Sequence, residues 1–267
     1  MSNISEHDIR KPQSIDNFKI WFSKNFNFEE SKYRNYYDVA TRLLRDNFLK
    51  SSFWETVNKE LKNINDSYYV KTGYQLLTRI EAPDVYIKSL DSLLIKAFRK
   101  NVINNANFPD EPNGGWVNHN CWFNSINDIL RTTIIVKYLD GVEFLLNELL
   151  KIADNHGCQL EYSLEAREEG YYAAHAGIKI KLQLCDLDFK SIEHIMNVEI
   201  QITTELQEII KNLLHKHYEE NRKRIEPKKN MWQWDYHCDE FASNYLGHIV
   251  HYVEGMIVEI RDKQRIN

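Results

Sequence analysis

Gly177-Ile-Lys-Ile-Lys-Leu-Gln-Leu184 and Asn197-Val-Glu-Ile-Gln-Ile202 alternate apolar and polar residues with a period of two. Successive side chains of a strand point to opposite faces. Ile178, Ile180, Leu182 and Leu184 therefore share one face, and Lys179, Lys181 and Gln183 the other. In the second segment Val198, Ile200 and Ile202 oppose Glu199 and Gln201. Such strands belong to a sheet that packs on helices by one face and carries polar groups on the other. Ile129–Tyr138, rich in β-branched residues, reads as a third strand.

Around these strands the period changes to that of helices. Tyr33, Tyr36, Tyr37, Val39, Ala40, Leu43, Leu44 and Phe48 recur at helical spacing over Ser31–Leu49. Further helices are expected over Phe53–Ile64, over Val85–Val102 with a basic face of Lys88, Lys96, Arg99 and Lys100, and over Gly141–His156, closed by Gly157. Two more follow the last strand, Thr204–Asn221 and Asp239–Lys263. In the second, Phe241, Tyr245, Ile249, Val253, Met256 and Ile260 form the expected core stripe. Asn104–Asn120, with Pro109, Pro112, Gly114 and Gly115, reads as the longest loop, and residues 1–15 as a polar lead-in. Helices, then strands mixed with helices, then helices again give an α+β class. The expected organisation is a helical N-terminal extension (1–68), a sheet-bearing domain (69–225) and a C-terminal helix packed on that domain (226–267).

Composition bounds the function. The 267 residues carry 34 Lys+Arg against 39 Asp+Glu, a net charge of −5, which argues against non-specific coating of nucleic acid. With 43% hydrophobic and 27% charged residues the chain resembles a globular protein with a sizeable core, not a disordered one. Apolar runs such as Thr132–Val136 fall far short of the roughly 18 residues that a bilayer span needs. The segment Met1–Arg10 lacks the apolar stretch of a secretory signal. Cys121, Cys158, Cys185 and Cys238 are widely spaced and form no CxxC pair, as expected of reduced thiols. A cytoplasmic protein with no membrane partner is the expectation; the sequence assigns no oligomeric state.

The common phosphate cradles are missing. There is no GxxxxGK[ST], no GxGxxG, no kinase signature and no nucleophile elbow. What remains is a set of polar groups on the sheet. Asp128 starts one strand and Glu199 lies on the polar face of another. Two carboxylates on neighbouring strands could hold a hard cation such as Mg²⁺ together with substrate phosphates. Lys179, Lys181 and Arg131 would offset phosphate charge. Polar residues also alternate on any half-solvated strand, so this pattern alone does not decide for catalysis.

Four segments, in order, resemble the RelA/SpoT synthetase domain family. Asn127-Asp128-Ile-Leu-Arg-Thr-Thr-Ile-Ile-Val136 is similar to its Asp-Ile-x-Gly-x-Arg strand, and Gly170-Tyr171-Tyr172-Ala-Ala-His175 to its Gly-Tyr-Arg-x-x-His loop. Val198-Glu199-Ile-Gln-Ile-Thr-Thr204 is similar to its Glu-[Ile/Val]-Gln-[Ile/Val]-Arg-Thr strand, and His215-Lys-His-Tyr218-Glu219 to the helical segment after it. Arg79-Ile-Glu-Ala-Pro-Asp84 is a weaker match to Arg-x-Lys-x-Pro-Glu. The resemblance spans about residues 70–225 and implies a nucleotidyltransferase-like mixed β-sheet flanked by helices, with helical N- and C-terminal extensions.

It also implies an activity, the transfer of pyrophosphate from ATP to the 3′-hydroxyl of GDP or GTP, as in a (p)ppGpp synthetase. Asp128 and Glu199 would hold Mg²⁺ and carry the catalysis, with Glu199 as general base. Arg79, Lys88, Arg131, Lys179 and Lys181 would face ATP phosphates. Tyr171, by stacking, and Tyr172, His175 and Gln201 would face the acceptor, with His215 and Tyr218 in support. The chain departs from the family pattern where cations are expected. Arg131 replaces a Gly, Thr133 and Thr203 each replace an Arg, Glu81 replaces a Lys, and Tyr172 replaces an Arg. These departures keep two other readings open. One is a toxic small synthetase acting on the tRNA 3′-CCA end or making adenosine alarmones, with an antitoxin as a possible partner. The other is a catalytically silent nucleotide-binding module. A hydrolase is disfavoured, because the only His-Asp dipeptide is His7-Asp8 in the lead-in. His248, His251 and Glu254 fall at i, i+3 and i+6, but no fourth ligand is evident and hydrogen-bonded helix histidines are the expected reading.

Overall fold

A computed structural model describes residues 11–188, 190–213 and 232–266. Three helices lead: α1 (Ile15–Phe26), α2 (Glu30–Leu49) and α3 (Ser52–Thr72). Ser14 and Ser51 cap α1 and α3 by accepting from Asn17 and Trp54 backbone N–H groups, and Gly73 ends α3 in the left-handed region at φ 80°. Then follow β1 (Tyr86–Ile87), α4 (Leu90–Phe98), one turn α5 (Trp122–Ser125), β2 (Leu130–Val136) and α6 (Leu139–Asn155). Next come β3 (Gln159–Ala166), β4 (Tyr172–Cys185) and β5 (Ser191–Thr204). A helix α7, described over 205–213, continues from β5, and α8 (Asp239–Ile266) closes the chain.

The strands form one mixed five-stranded sheet, in the order β1-β2-β5-β4-β3. Only β2 and β5 run parallel; the other neighbours are antiparallel. The two alternating segments behave as expected: Ile178, Ile180, Leu182 and Leu184 are buried, as are Val198, Ile200 and Ile202. Their core continues into α2 through Tyr37, Ala40, Leu44 and Phe48 and into α6 through Leu145, Leu146 and Leu149. The other sheet face stays open. The α+β class and the mixed sheet flanked by helices stand as read.

Several boundaries differ. The helix expected from Val85 starts at Leu90, because Tyr86 and Ile87 pair with Arg131 and Leu130 as a strand and Ser89 then caps α4 by accepting from the Ser92 N–H. The helix expected over Phe53–Ile64 runs on to Thr72, and β3 and α1 had no counterpart in the sequence reading. The largest correction concerns α8. Its expected stripe points away from the body: Tyr245, Ile249, Val253, Met256 and Ile260 are all exposed, while Glu240, Ser243, Asn244, Glu254 and Arg261 are buried. The inward face is held by polar and close-packed contacts. Arg261 donates to both Asp140 carboxylate oxygens, at 3.2 and 2.8 Å, and to the Tyr68 hydroxyl at 2.8 Å. At Gly247 an added Cβ would lie 2.2 Å from the Gly170 carbonyl oxygen, so only glycine admits this approach. Among the described residues no helix is long and apolar enough to cross a membrane, and the four cysteines are free.

Candidate active site on the open sheet face

Strand register builds the site. Arg131 faces Glu199 across β2 and β5, and Glu199 faces Gly177 across β5 and β4. Residues opposite one another share a face. Tyr86, Arg131, Glu199 and Gly177 thus form one row across the open face, and Thr133, Gln201, His175 and Ser163 the next.

Asp128 stands just before β2. Tyr37 of α2 donates to the Lys88 carbonyl at 2.7 Å, and the Lys88 N–H donates to the Ile129 carbonyl at 2.8 Å, which fixes the turn between β1 and α4 beside Asp128. The Lys88 ammonium then reaches one Asp128 carboxylate oxygen at 3.0 Å, and Lys96 of α4 reaches the other at 2.8 Å. Burial alone would push the Asp128 carboxyl up, but the two ammoniums outweigh it and hold the group below the usual carboxylate range. Burial pushes Lys88 down against the pull of Asp128. The negative charge of Asp128 also raises the Glu199 carboxyl, so the two acids feel one another.

Glu199 sits in a second small network. Its Oε1 accepts from the Gln201 amide and lies 3.6 Å from His175 Nδ1. The other ring nitrogen of His175 is 2.9 Å from the Tyr171 hydroxyl, and the Arg167 guanidinium lies over the Tyr171 ring at 5.3 Å. Burial pushes Glu199 up; the hydrogen bonds from His175 and Gln201 more than offset it, so the carboxyl stays below its ordinary value. A carboxylate ionised at neutral pH and aimed along an open face can accept a proton from an approaching hydroxyl.

The structure thus gathers Asp128, Glu199, Lys88, Arg131, Gln201, His175 and Tyr171. It does not gather all the expected residues. Lys179 is tied to Glu161 at 2.9 Å, and Lys181 lies four residues along β4 from the position facing Glu199, about 13 Å at strand rise. Arg79 is exposed in the loop after α3. Tyr172 points the other way from Tyr171, under α8. Its ring stacks on His251 at 3.6 Å and its hydroxyl lies 2.8 Å from His248 Nδ1. His215 and Tyr218 lie outside the described residues. His248 is engaged on both ring nitrogens, by Tyr172 and by the Glu168 carbonyl at 2.9 Å, as a hydrogen-bonding helix histidine. Among the described residues no group of three or more His, Cys, Asp or Glu converges as a metal site. The sequence points to no role for Tyr86 or Arg167, and names Lys96 only among the cations that could stand in for the family's missing arginines and lysines. Three-dimensional register is what brings Tyr86 beside Arg131, and no local pattern announces it.

No family model matches the chain, and no curated protein matches it. Solved structures do. Small alarmone synthetase 1 from Bacillus subtilis superposes with a TM-score of 0.54 at 17% identity, covering 90% of this chain and 100% of that one. The structure of the same protein bound to its product pppGpp gives 0.51 at 18% identity, covering 79% and 92%. A GTP pyrophosphokinase family protein from Streptococcus pneumoniae gives 0.51 at 15%, covering 87% and 93%. The chain has the fold of the small alarmone synthetases.

Proposed function

We propose that this protein is a pyrophosphotransferase that moves the β,γ-pyrophosphate of ATP to the 3′-hydroxyl of GDP or GTP. One observation carries the reading: an ionised Glu199, held by Gln201 and a His175–Tyr171 pair, stands on the open sheet face within the field of Asp128. The fold supports it, since a structural relative binds pppGpp as its product.

Each residue then has a task. Glu199 accepts the proton of the attacking 3′-hydroxyl, and the His175 ring keeps the carboxylate oriented. Lys88, Lys96 and Arg131 surround the acids and offset triphosphate charge; the ammoniums that now cap Asp128 would swing onto phosphate oxygens. Arg79 would reach the phosphates from its loop. Tyr171 would offer its ring to the acceptor base, a contact worth about 1–3 kcal/mol per stacked base. The donor set, two carboxylates and no sulfur or free imidazole nitrogen, fits Mg²⁺, which Asp128 and Glu199 would hold. When bound, that ion supplies charge neutralisation at the transferred phosphoryl oxygens.

A second reading rests on Thr133 and Thr203, which stand on the site's own strands where the family pattern has arginines. With fewer cations on the acceptor side, a tRNA 3′ end or an adenosine nucleotide becomes the competing acceptor. Incubation with γ-³²P-ATP and, separately, GDP, GTP, ATP or deacylated tRNA tests both. Label on GDP or GTP supports the main reading. Label only on tRNA or ATP supports the second, and label on none removes both in favour of a silent nucleotide-binding module.

A further inference from the structure

One polar side chain beside Glu199 has no task in the reaction proposed above. Asn197 lies two residues before Glu199 on β5, so the period of two sets both on the open face. Its carboxamide leans across to β4 and lies over Gly177, the residue directly opposite Glu199. A Cβ added to Gly177 would meet Asn197 Nδ2 at 2.6 Å, Oδ1 at 2.7 Å and Cγ at 3.1 Å. Gly177 is not one of the glycines with positive φ, so the position calls for space and not for a special backbone. Directly opposed Cβ positions in an antiparallel pair stand about 4.5–5.5 Å apart, so the carboxamide fills the place of a side chain facing Glu199. Asn197 Oδ1 is buried there with no hydrogen-bond partner among the described residues. Buried polar atoms are normally paired, and leaving one unpaired is costly. The neighbouring groups are engaged. Gln201 donates to Glu199 Oε1, His175 and the Tyr171 hydroxyl hold each other, and Lys179, opposite Asn197, turns to Glu161.

We infer that the Asn197 carboxamide binds the 2′-hydroxyl of the acceptor ribose, beside the 3′-hydroxyl that Glu199 deprotonates, and so selects ribonucleotide over 2′-deoxyribonucleotide acceptors. The inference rests on the pyrophosphotransfer reading and adds to it the group that recognises the sugar.

The chemistry of the place selects this ligand. The 2′- and 3′-hydroxyls stand on adjacent carbons and on the same side of the ribose ring, so a group next to the general base meets the second hydroxyl once the first is in position. A carboxamide offers both an acceptor and donors, which suits a hydroxyl in either sense. It carries no charge, and a phosphate placed there would face the ionised Glu199. The cations suited to phosphate lie on the opposite side of Glu199, at Lys88, Lys96 and Arg131. Gly177, without a side chain, lets a sugar ring come close to the sheet at this point. A small rotation of the carboxamide off Gly177 would then trade an unmet oxygen for a bonded one.

The test compares GDP with 2′-deoxy-GDP as acceptor, both of which keep the 3′-hydroxyl, in wild type and in Asn197→Leu, a change that keeps the bulk and removes the polar atoms. The readout is kcat/KM for transfer from γ-³²P-ATP. Wild type is expected to prefer GDP by about tenfold or more, because the analogue leaves the carboxamide unpaired. Asn197→Leu is expected to lose about tenfold on GDP and to stay within about twofold of wild type on 2′-deoxy-GDP. Any intrinsic difference between the two 3′-hydroxyls is common to both enzymes and cancels in the ratio of their preferences. Equal losses on both acceptors would mean a structural role for Asn197 and overturn the inference. So would a preference that survives in the variant, or a wild type that uses both acceptors alike. In each of these outcomes transfer persists and the proposed function stands. No transfer to GDP by wild type removes the proposed function, and this inference with it. If Asn197→Leu does not fold, Asn197→Ala, which removes the carboxamide without adding bulk, decides by the same criteria.

Discussion

Glu199→Gln separates chemistry from folding most cleanly. The amide has nearly the shape of the carboxylate and still accepts from the Gln201 side chain, so the half-buried β5 position remains filled. What disappears is the charge. A general base typically contributes 10²–10⁴ in rate, so turnover should fall by at least about a hundredfold, which is roughly 2.7 kcal/mol in the barrier. Stability should change little: one charge-assisted bond becomes a neutral one, a loss of about 1 kcal/mol and about 2–4 °C in Tm. The pH dependence has a definite sign. The wild-type carboxyl is held below its ordinary value in the fold, so it stabilises the protein above the ordinary carboxylate pKa, and that contribution fades as pH falls through the depressed value. The acid limb of the wild-type rate should sit at the same low pH. The assay is single-turnover transfer from γ-³²P-ATP beside a thermal melt. A variant that melts like wild type and retains more than a tenth of its turnover would refute the base assignment.

Other perturbations test the surroundings. Asp128→Asn leaves the mostly buried Lys88 without its counter-charge, so urea unfolding at pH 7 should show a loss of about 2–3 kcal/mol, part of it recovered at pH 9 as Lys88 sheds its proton more readily; equal stability at both pH values would count against the pairing. Arg261→Ala removes a nearly buried guanidinium from Asp140 and Tyr68, and should lower Tm by roughly 6–12 °C for about 3 kcal/mol, with Arg261→Lys recovering only part because an ammonium cannot fork to both partners. Glu254 is buried, and burial raises its carboxyl above the ordinary value despite Thr204 and Gln207 beside it. It therefore favours folding at acid pH and disfavours it as pH climbs through the raised value. Glu254→Gln should raise Tm at pH 7.5 and flatten the melt-versus-pH curve between pH 5 and 8; an unchanged slope would exclude this residue as its source.

What the sequence yields depends on whether a residue's partner is local. The period of two in Gly177–Leu184 and Asn197–Ile202 states which residues face the core, and the buried set follows it without exception. β3 carries the same alternation in Leu160, Tyr162 and Leu164, but as an edge strand it leaves Tyr162 and Leu164 more than half exposed, so the pattern resembles a surface segment. Val85–Val102 has a helical composition throughout, yet pairing with β2 claims Tyr86 and Ile87 before Ser89 can cap. In α8 the periodicity identifies the stripe correctly and its direction wrongly. Spacing says which residues share a face, whereas the choice of inward face was made by Arg261, Gly247 and His248, whose partners Asp140, Gly170 and Tyr172 lie far off in sequence.

The same principle applies to charge at the site. The family pattern places cations along the strands, and this chain has Thr133 and Thr203 there. Thr203 is buried and its hydroxyl donates to the Tyr172 carbonyl at 3.2 Å, so the position braces β5 against β4. Positive charge enters instead from the other edge, through Lys88 after β1, Lys96 on α4 and Arg131 on β2. In the proposed reaction, this asymmetry assigns the triphosphate to the β1–α4 edge, where the cations are. It leaves the β4 side, with Tyr171 and His175, to a base and a ribose, which need a ring face and a proton acceptor more than charge. Loss of the strand arginines is thus compatible with transfer so long as the ammoniums on Asp128 can change partners from carboxylate to phosphate.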